Sequence, residues 1–118
     1  MSVSIYSITL DCRNGGQLAA FWAQVLRRDV DPEPSEFFAS IGRAEPDGQP
    51  VMMFIQVPEP KSGKNRMHLD LESDDREAEV ERLVGLGARV HSEHDEWGTR
   101  WTTLTDPEGN EFCIATHA

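Results

Sequence analysis

The stretch Asn65-Arg66-Met67-His68-Leu69-Asp70-Leu71-Glu72 sets an imidazole and two carboxylates, His68, Asp70 and Glu72, in alternation with Leu69 and Leu71. A period of two is the pattern of a strand with one face on a core. Burying three ionisable groups on the other face is costly unless that face lines a cavity. His68 is therefore a candidate acid–base or ligand-contacting residue, since an imidazole exchanges protons readily at neutral pH. The plain alternative is a histidine held by Asp70 or the neighbouring loop with no chemical duty. Cys113 is a second candidate, as a nucleophile if His68 stabilised its thiolate, or simply as a small buried thiol.

These residues need elements to position them. Residues 3–12 read as a strand with Ile8, Leu10 and Cys12 on one face and Ser7, Thr9 and Asp11 on the other. Asn14 is a plausible N-cap. Leu18, Phe21, Trp22, Val25 and Leu26 then fall on one helical face, so Trp22 reads as core. Strands follow over 36–42 and 51–57. In the latter, Val51, Met53, Ile55 and Val57 share one face, and Met52, Phe54 and Gln56 the other. After a Pro- and Lys-rich connection comes the His68 strand. Asp74 with Glu77 makes a capping-box pattern for a helix to about Leu86, with Val80, Leu83 and Val84 as its apolar face. Gly87 suits the position after the helix. Residues 88–90 begin a strand, 91–96 read as a polar loop, and 100–105 and 111–116 as strands around the turn Asp106-Pro107-Glu108-Gly109-Asn110. His91, His94 and His117 are loop or terminal residues, and His91-x-x-His94 alone is too sparse for a metal site.

The two halves match. Ala44-Glu45-Pro46-Asp47-Gly48-Gln49 corresponds to Thr105-Asp106-Pro107-Glu108-Gly109-Asn110, a displacement of 61 positions from Pro46 to Pro107. The same displacement carries Ser7 to His68, Asp11 to Glu72 and Met52 to Cys113. We read a duplication: a single domain over 1–118, made of module one at 1–58, a linker at 59–64 and module two at 65–118. The fold class expected is α+β, with two tandem βαβββ modules forming a curled mixed sheet around a cleft. Ser7, Met52, Phe54, His68, Asp70 and Cys113 would face that cleft.

Bulk properties narrow the partners. The formal charge of −10 disfavours a phosphate backbone or an anionic membrane. The basic cluster Lys61, Lys64 and Arg66 is short and lies in a loop; it either draws an anionic ligand to the cleft mouth or pairs with the surplus carboxylates. No apolar window is long enough for a membrane helix and no secretory leader is visible, so a cytoplasmic location is expected. The two cysteines, Cys12 in the core and Cys113, read as free thiols.

The doubled βαβββ plan, with Val57-Pro58-Glu59-Pro60-Lys61, Lys64-Asn65-Arg66-Met67-His68-Leu69-Asp70-Leu71 and Asp106-Pro107-Glu108-Gly109-Asn110-Glu111-Phe112-Cys113, resembles the vicinal oxygen chelate superfamily. More narrowly it resembles the glyoxalase-like branch, kin to glyoxalase I and the bleomycin-resistance proteins. In metal-using members, four ligands, usually His, Gln or Glu, come from the first and last strands of the modules. The resemblance puts those positions on Ser7, Met52, His68 and Cys113, with Gln56 as the nearest alternative oxygen donor. Only His68 is a usual ligand, and a thioether suits a hard divalent ion badly. We therefore expect no metal ligand set and no cofactor; a soft ion is the residual possibility.

Three functions follow. The first is a binding module taking a small organic molecule in the cleft by shape and stacking, as a homodimer, as the resemblance implies; Trp101 either stacks on that ligand or caps the second sheet. The second is a lyase, isomerase or dioxygenase, lactoylglutathione lyase-like, using a metal or a His68-centred acid–base route. The third is a protein-interaction domain whose cleft is filled by Met52, Phe54 and Trp101. The first is the reading adopted.

Overall fold

The computed structural model describes residues 2–116; His117 lies outside them. The chain divides into two compact units, Met1–Pro60 and Lys61–Ala118. Among the described residues the architecture is α+β, with two helices and two mixed sheets of three and four strands.

Unit 1 contains β1 (Ser7–Cys12), α1 (Gly15–Leu26), β2 (Phe38–Ile41) and β3 (Val51–Gln56), in sheet order β1-β3-β2. β1 begins at Ser7 rather than at residue 3 because its partner begins there: Ser7 pairs with Val51. Asn14 caps α1, its side chain accepting from the Gln17 N–H at 3.0 Å. Gly15 lets the helix start close to β3; a Cβ there would come within 2.9 Å of the Phe54 carbonyl oxygen. Leu18, Phe21, Trp22 and Val25 are buried as the helical spacing requires, each side chain contributing about 1.5–3 kcal/mol.

The parity of β3 differs from the expectation. Met52 and Phe54 are 2% and 0% exposed and stand beside Ile8 and Leu10, with Ile41 and Ala39 opposite on β2. They form the core layer under α1, and Ile55 is the exposed residue. The cause is one extra residue. Thr9 pairs with Met53, 44 positions on, whereas in the second unit Asp70 pairs with Cys113, 43 positions on. Gln49-Pro50 occupies the place of Asn110 alone, and a one-residue slip turns every strand side chain to the other face.

Unit 2 contains β4 (Leu69–Glu72), α2 (Arg76–Leu86), β5 (Arg89–Glu96), β6 (Thr99–Thr105) and β7 (Glu111–Ala115), in order β4-β7-β6-β5. The two units share one plan: β4 and β7 are parallel, as are β1 and β3. In unit 1 the counterpart of β5 is a single bridge, Val30 with Ile41. The cap of α2 is Asp75, one residue after the expected Asp74, and accepts from the Ala78 N–H at 3.1 Å. Leu83 is the one fully buried residue of α2, and Val84 is exposed.

Residues 91–96 are strand, not loop. β5 pairs with β6 from Arg89 to Glu96, and the two are joined at Trp97-Gly98. Both turn residues have positive φ, 52° and 76°, as a two-residue turn matching the strand twist demands. A polar edge strand with one solvated face lacks the apolar alternation that signals a strand in sequence. No helix among the described residues is long and apolar enough to cross a membrane.

Candidate functional site

Cross-strand register builds the site. On the face of the unit 2 sheet away from Leu104, Phe112 and Ile114, two rows of residues lie side by side. Asp70, Cys113, Thr103 and Ser92 form one row, and Glu72, Ala115, Trp101 and His94 the other. All but Glu72 line a hollow of about 560 Å³, within the range of small-molecule sites. His68, just before β4, and Lys64, His91, Trp97 and Glu111 complete much of its wall.

One side is polar. His68 Nδ1 lies 2.7 Å from Asp70 Oδ1, which orients the ring; the other ring nitrogen is not bound by that carboxylate. Cys113 is 8% exposed, and its Sγ lies 3.3 Å from Thr103 Oγ1. Burial pushes its thiol above the ordinary range, and the Asp70 charge adds to this against the Thr103 hydrogen bond. The thiol is therefore protonated at neutral pH, and the nucleophile reading of Cys113 gives way to that of a buried thiol.

The opposite side is aromatic. The Trp101 ring lies 5.0 Å from that of His94, at 16° between planes, and 5.8 Å from that of Trp97, at 7°. Trp101 thus faces the hollow. Trp97 is 87% exposed and holds a left-handed backbone, which costs a bulky residue of order 1–3 kcal/mol.

The connection before β4 is fixed at the rim. Glu111 accepts from Lys64 Nζ at 3.0 Å, Lys61 Nζ at 3.4 Å and the Asn65 N–H at 3.3 Å, while Asn65 Oδ1 accepts from the Glu111 N–H at 3.2 Å. Lys61 also donates to the Gly63 carbonyl. The Lys64 hydrogen bond, opposed by desolvation and helped by Asn65 and Lys61, draws the Glu111 carboxyl down from 4.5 to about 2. The basic cluster is therefore largely an anchor for this connection.

Of the residues named from sequence, His68, Asp70, Trp101 and Cys113 converge on this hollow. Ser7, Met52 and Phe54 belong to unit 1, and the latter two are enclosed in its core. His91 and His94 were set aside as loop residues, and Ser92, Trp97 and Thr103 were not named as site residues, yet all five line the hollow. Gly98, between the polar run 89–96 and the strand 99–105, was the signal that could have placed a hairpin turn there.

The ligand set implied for a divalent ion does not fit. Met52 is buried under α1, and Met53, which takes the position equivalent to Cys113, is again a thioether. His68, Asp70 and Cys113 do bring a nitrogen, an oxygen and a sulfur within 4.8 Å of one another. That trio matches none of the oxygen- and imidazole-rich sets of hard ions.

The model of the Glyoxalase-like domain family matches residues 7–115. A comparison with curated proteins finds no match. Among solved structures, the fold is similar to a glyoxalase/bleomycin resistance protein/dioxygenase family enzyme from Burkholderia phytofirmans PsJN. The identity is 20%, covering 97% of this chain and 98% of that chain, with a TM-score of 0.77. It is also similar to the fosfomycin resistance protein FosX from Listeria monocytogenes, at 14% identity, 100% and 96% coverage and a TM-score of 0.74. A third is the lactoylglutathione lyase from Agrobacterium tumefaciens, at 14% identity, 98% and 95% coverage and a TM-score of 0.67. At these identities the likeness is one of fold.

Proposed function

The chain belongs to the glyoxalase-like domain family, and from that premise we propose that it binds a small planar organic molecule in the unit 2 hollow without a divalent ion. The observation that carries this is the stack of near-parallel rings, His94, Trp101 and Trp97, which lines the same hollow of about 560 Å³ as the His68–Asp70 pair. An aromatic ligand that extends such a stack gains about 0.5–1.5 kcal/mol beyond its area term. The polar side supplies a carboxylate and an imidazole to orient it. Trp97 supports the reading further: its exposure and backbone strain contribute nothing to the core, and strain of this kind concentrates at ligand sites.

The protein acts on this reading as a homodimer, which light scattering on the purified protein tests. Thermal-shift screening of chelator-dialysed protein against planar heteroaromatics, bleomycin-type drugs included, tests binding. A ligand at 100 times its Kd stabilises the folded state by about 2.7 kcal/mol, and a panel that leaves Tm unmoved counts against the site.

A second reading, a lyase or isomerase working by proton transfer, is favoured by the 2.7 Å contact of His68 with Asp70. A carboxylate that fixes an imidazole tautomer is the arrangement general base catalysis uses. Turnover of a hemithioacetal by metal-stripped protein, lost in His68→Gln, would support it.

A further inference from the structure

At one point β5 carries a residue more than β6. Val90 pairs with Leu104 and Ser92 with Thr103, so His91 has no partner position. A bulge of this kind turns a side chain out of strict alternation. His91 and Ser92, neighbours in the chain, accordingly both line the hollow. Ser92 Oγ lies 3.1 Å from His91 Nδ1 and 2.8 Å from His94 Nε2. A hydroxyl has one hydrogen to give, so it can donate to only one of these nitrogens, and the other must donate to it. The hydrogen positions of the two rings are therefore linked through Ser92.

We propose that His91, Ser92 and His94 form a proton relay in the hollow, an acid–base station separate from His68 and Asp70, for a planar carbon acid or phenol stacked beside Trp101. This rests on the ligand site proposed above. His91, turned inward by the bulge, is the catalytic residue: its Nε2 takes the proton of the substrate. Its Nδ1 hydrogen passes to Ser92 Oγ as the Ser92 hydrogen passes to His94 Nε2. The substrate ends as its anion, His91 stays neutral in the other tautomer, and His94 carries the charge. Ser92 and His94 are positioning residues. The charge comes to rest where it is best accommodated, since the His94 ring is stacked on Trp101 at 5.0 Å and an indole face attracts a cation.

Charged neighbours are largely paired. Near His94 lie Glu93 and Asp95 of its own strand, Arg76 of α2 and Arg100 of β6. Arg76 meets Thr102 at 2.6 Å and Glu93 at 3.7 Å, and Arg100 meets Asp95 at 3.8 Å. Across the hollow stand His68 with Asp70, Lys64 with Glu111, and the neutral Cys113 thiol.

The probe is 5-nitrobenzisoxazole, a planar carbon acid. Loss of its ring C–H proton to a base forms the nitrile as the N–O bond breaks, giving a coloured nitrophenolate with no other reactant. We expect wild type to accelerate this, with His91→Gln losing about a hundredfold in kcat at unchanged KM. Ser92→Ala should lose a similar factor and change the pH profile, and Ser92→Thr should restore both. Nitrogen-15 histidine spectra of the ligand-free protein supply a second arm. There the His91 tautomer should change as His94 takes up a proton, and Ser92→Ala should abolish this. Equal rates in wild type, His91→Gln and Ser92→Ala, or tautomers independent of one another, overturn the relay. Quenching of tryptophan fluorescence by the probe without turnover overturns the relay and leaves the ligand site standing. Linked tautomers with no quenching overturn the ligand site and leave the relay.

Discussion

Asp70 stands opposite Cys113 in the parallel β4–β7 pair, and its carboxylate holds His68 Nδ1 at 2.7 Å. Cys113 is a buried thiol whose pKa burial pushes up, and the imidazole beside it is oriented by a carboxylate. Cys113 in the native protein should resist iodoacetamide at neutral pH and react only once unfolded, because burial keeps the thiolate fraction low. Cys113→Ala should retain ligand-induced stabilisation. Rapid native alkylation would contradict this placement.

Trp97 separates folding from function. Replacing it with Asn or Gly suits the left-handed turn and relieves about 1 kcal/mol of strain, so Tm should hold or rise. The shift caused by an aromatic ligand should shrink in the same variant. A fall in Tm with ligand response intact would mean that Trp97 serves the fold.

Met52 and Phe54 test the parity of β3. Each is enclosed under α1, so Met52→Ala should cost about 2–5 kcal/mol and Phe54→Ala about 3–5 kcal/mol by urea unfolding. Losses under about 1 kcal/mol would return them to a ligand-facing surface.

How much of this could be read from the chain alone depended on whether a local signal existed. Asn14 before an apolar helical stripe marked α1, the Asp74–Glu77 pattern marked α2 to within a residue of its cap, and the repeated Pro-Asp-Gly and Pro-Glu-Gly turns separated most strands. His68, Asp70, Trp101 and Cys113 fell on one face because their alternation in β4, β6 and β7 was unbroken. Met52 and Phe54 were misplaced because both faces of β3 are apolar, so its pattern could not reveal the extra residue at Gln49-Pro50. His91, Ser92 and His94 were passed over because β5 is a polar edge strand, whose structure comes from pairing with β6 rather than from its own composition.

Glu111 should give unit 2 an acid-sensitive component. Its carboxyl is held at about 2 in the folded chain against an ordinary value of 4.5. A depressed pKa contributes stability that is present above 4.5 and lost as pH falls toward about 2. Glu111→Gln should cost about 1 kcal/mol at neutral pH and show a flatter decline over that acid interval. Parallel acid-unfolding curves for the two proteins would remove Glu111 from this role.

The central claim is that a ring stacks on Trp101 with no ion present, and a fluorescence titration tests it directly. Chelator-stripped wild type and Trp101→Ala would each be titrated with a planar ligand from the thermal-shift panel. The account predicts saturable quenching in wild type and at least a tenfold weaker Kd in the variant, about 1.4 kcal/mol. Binding that vanishes in stripped wild type and returns only with an added divalent metal would contradict it.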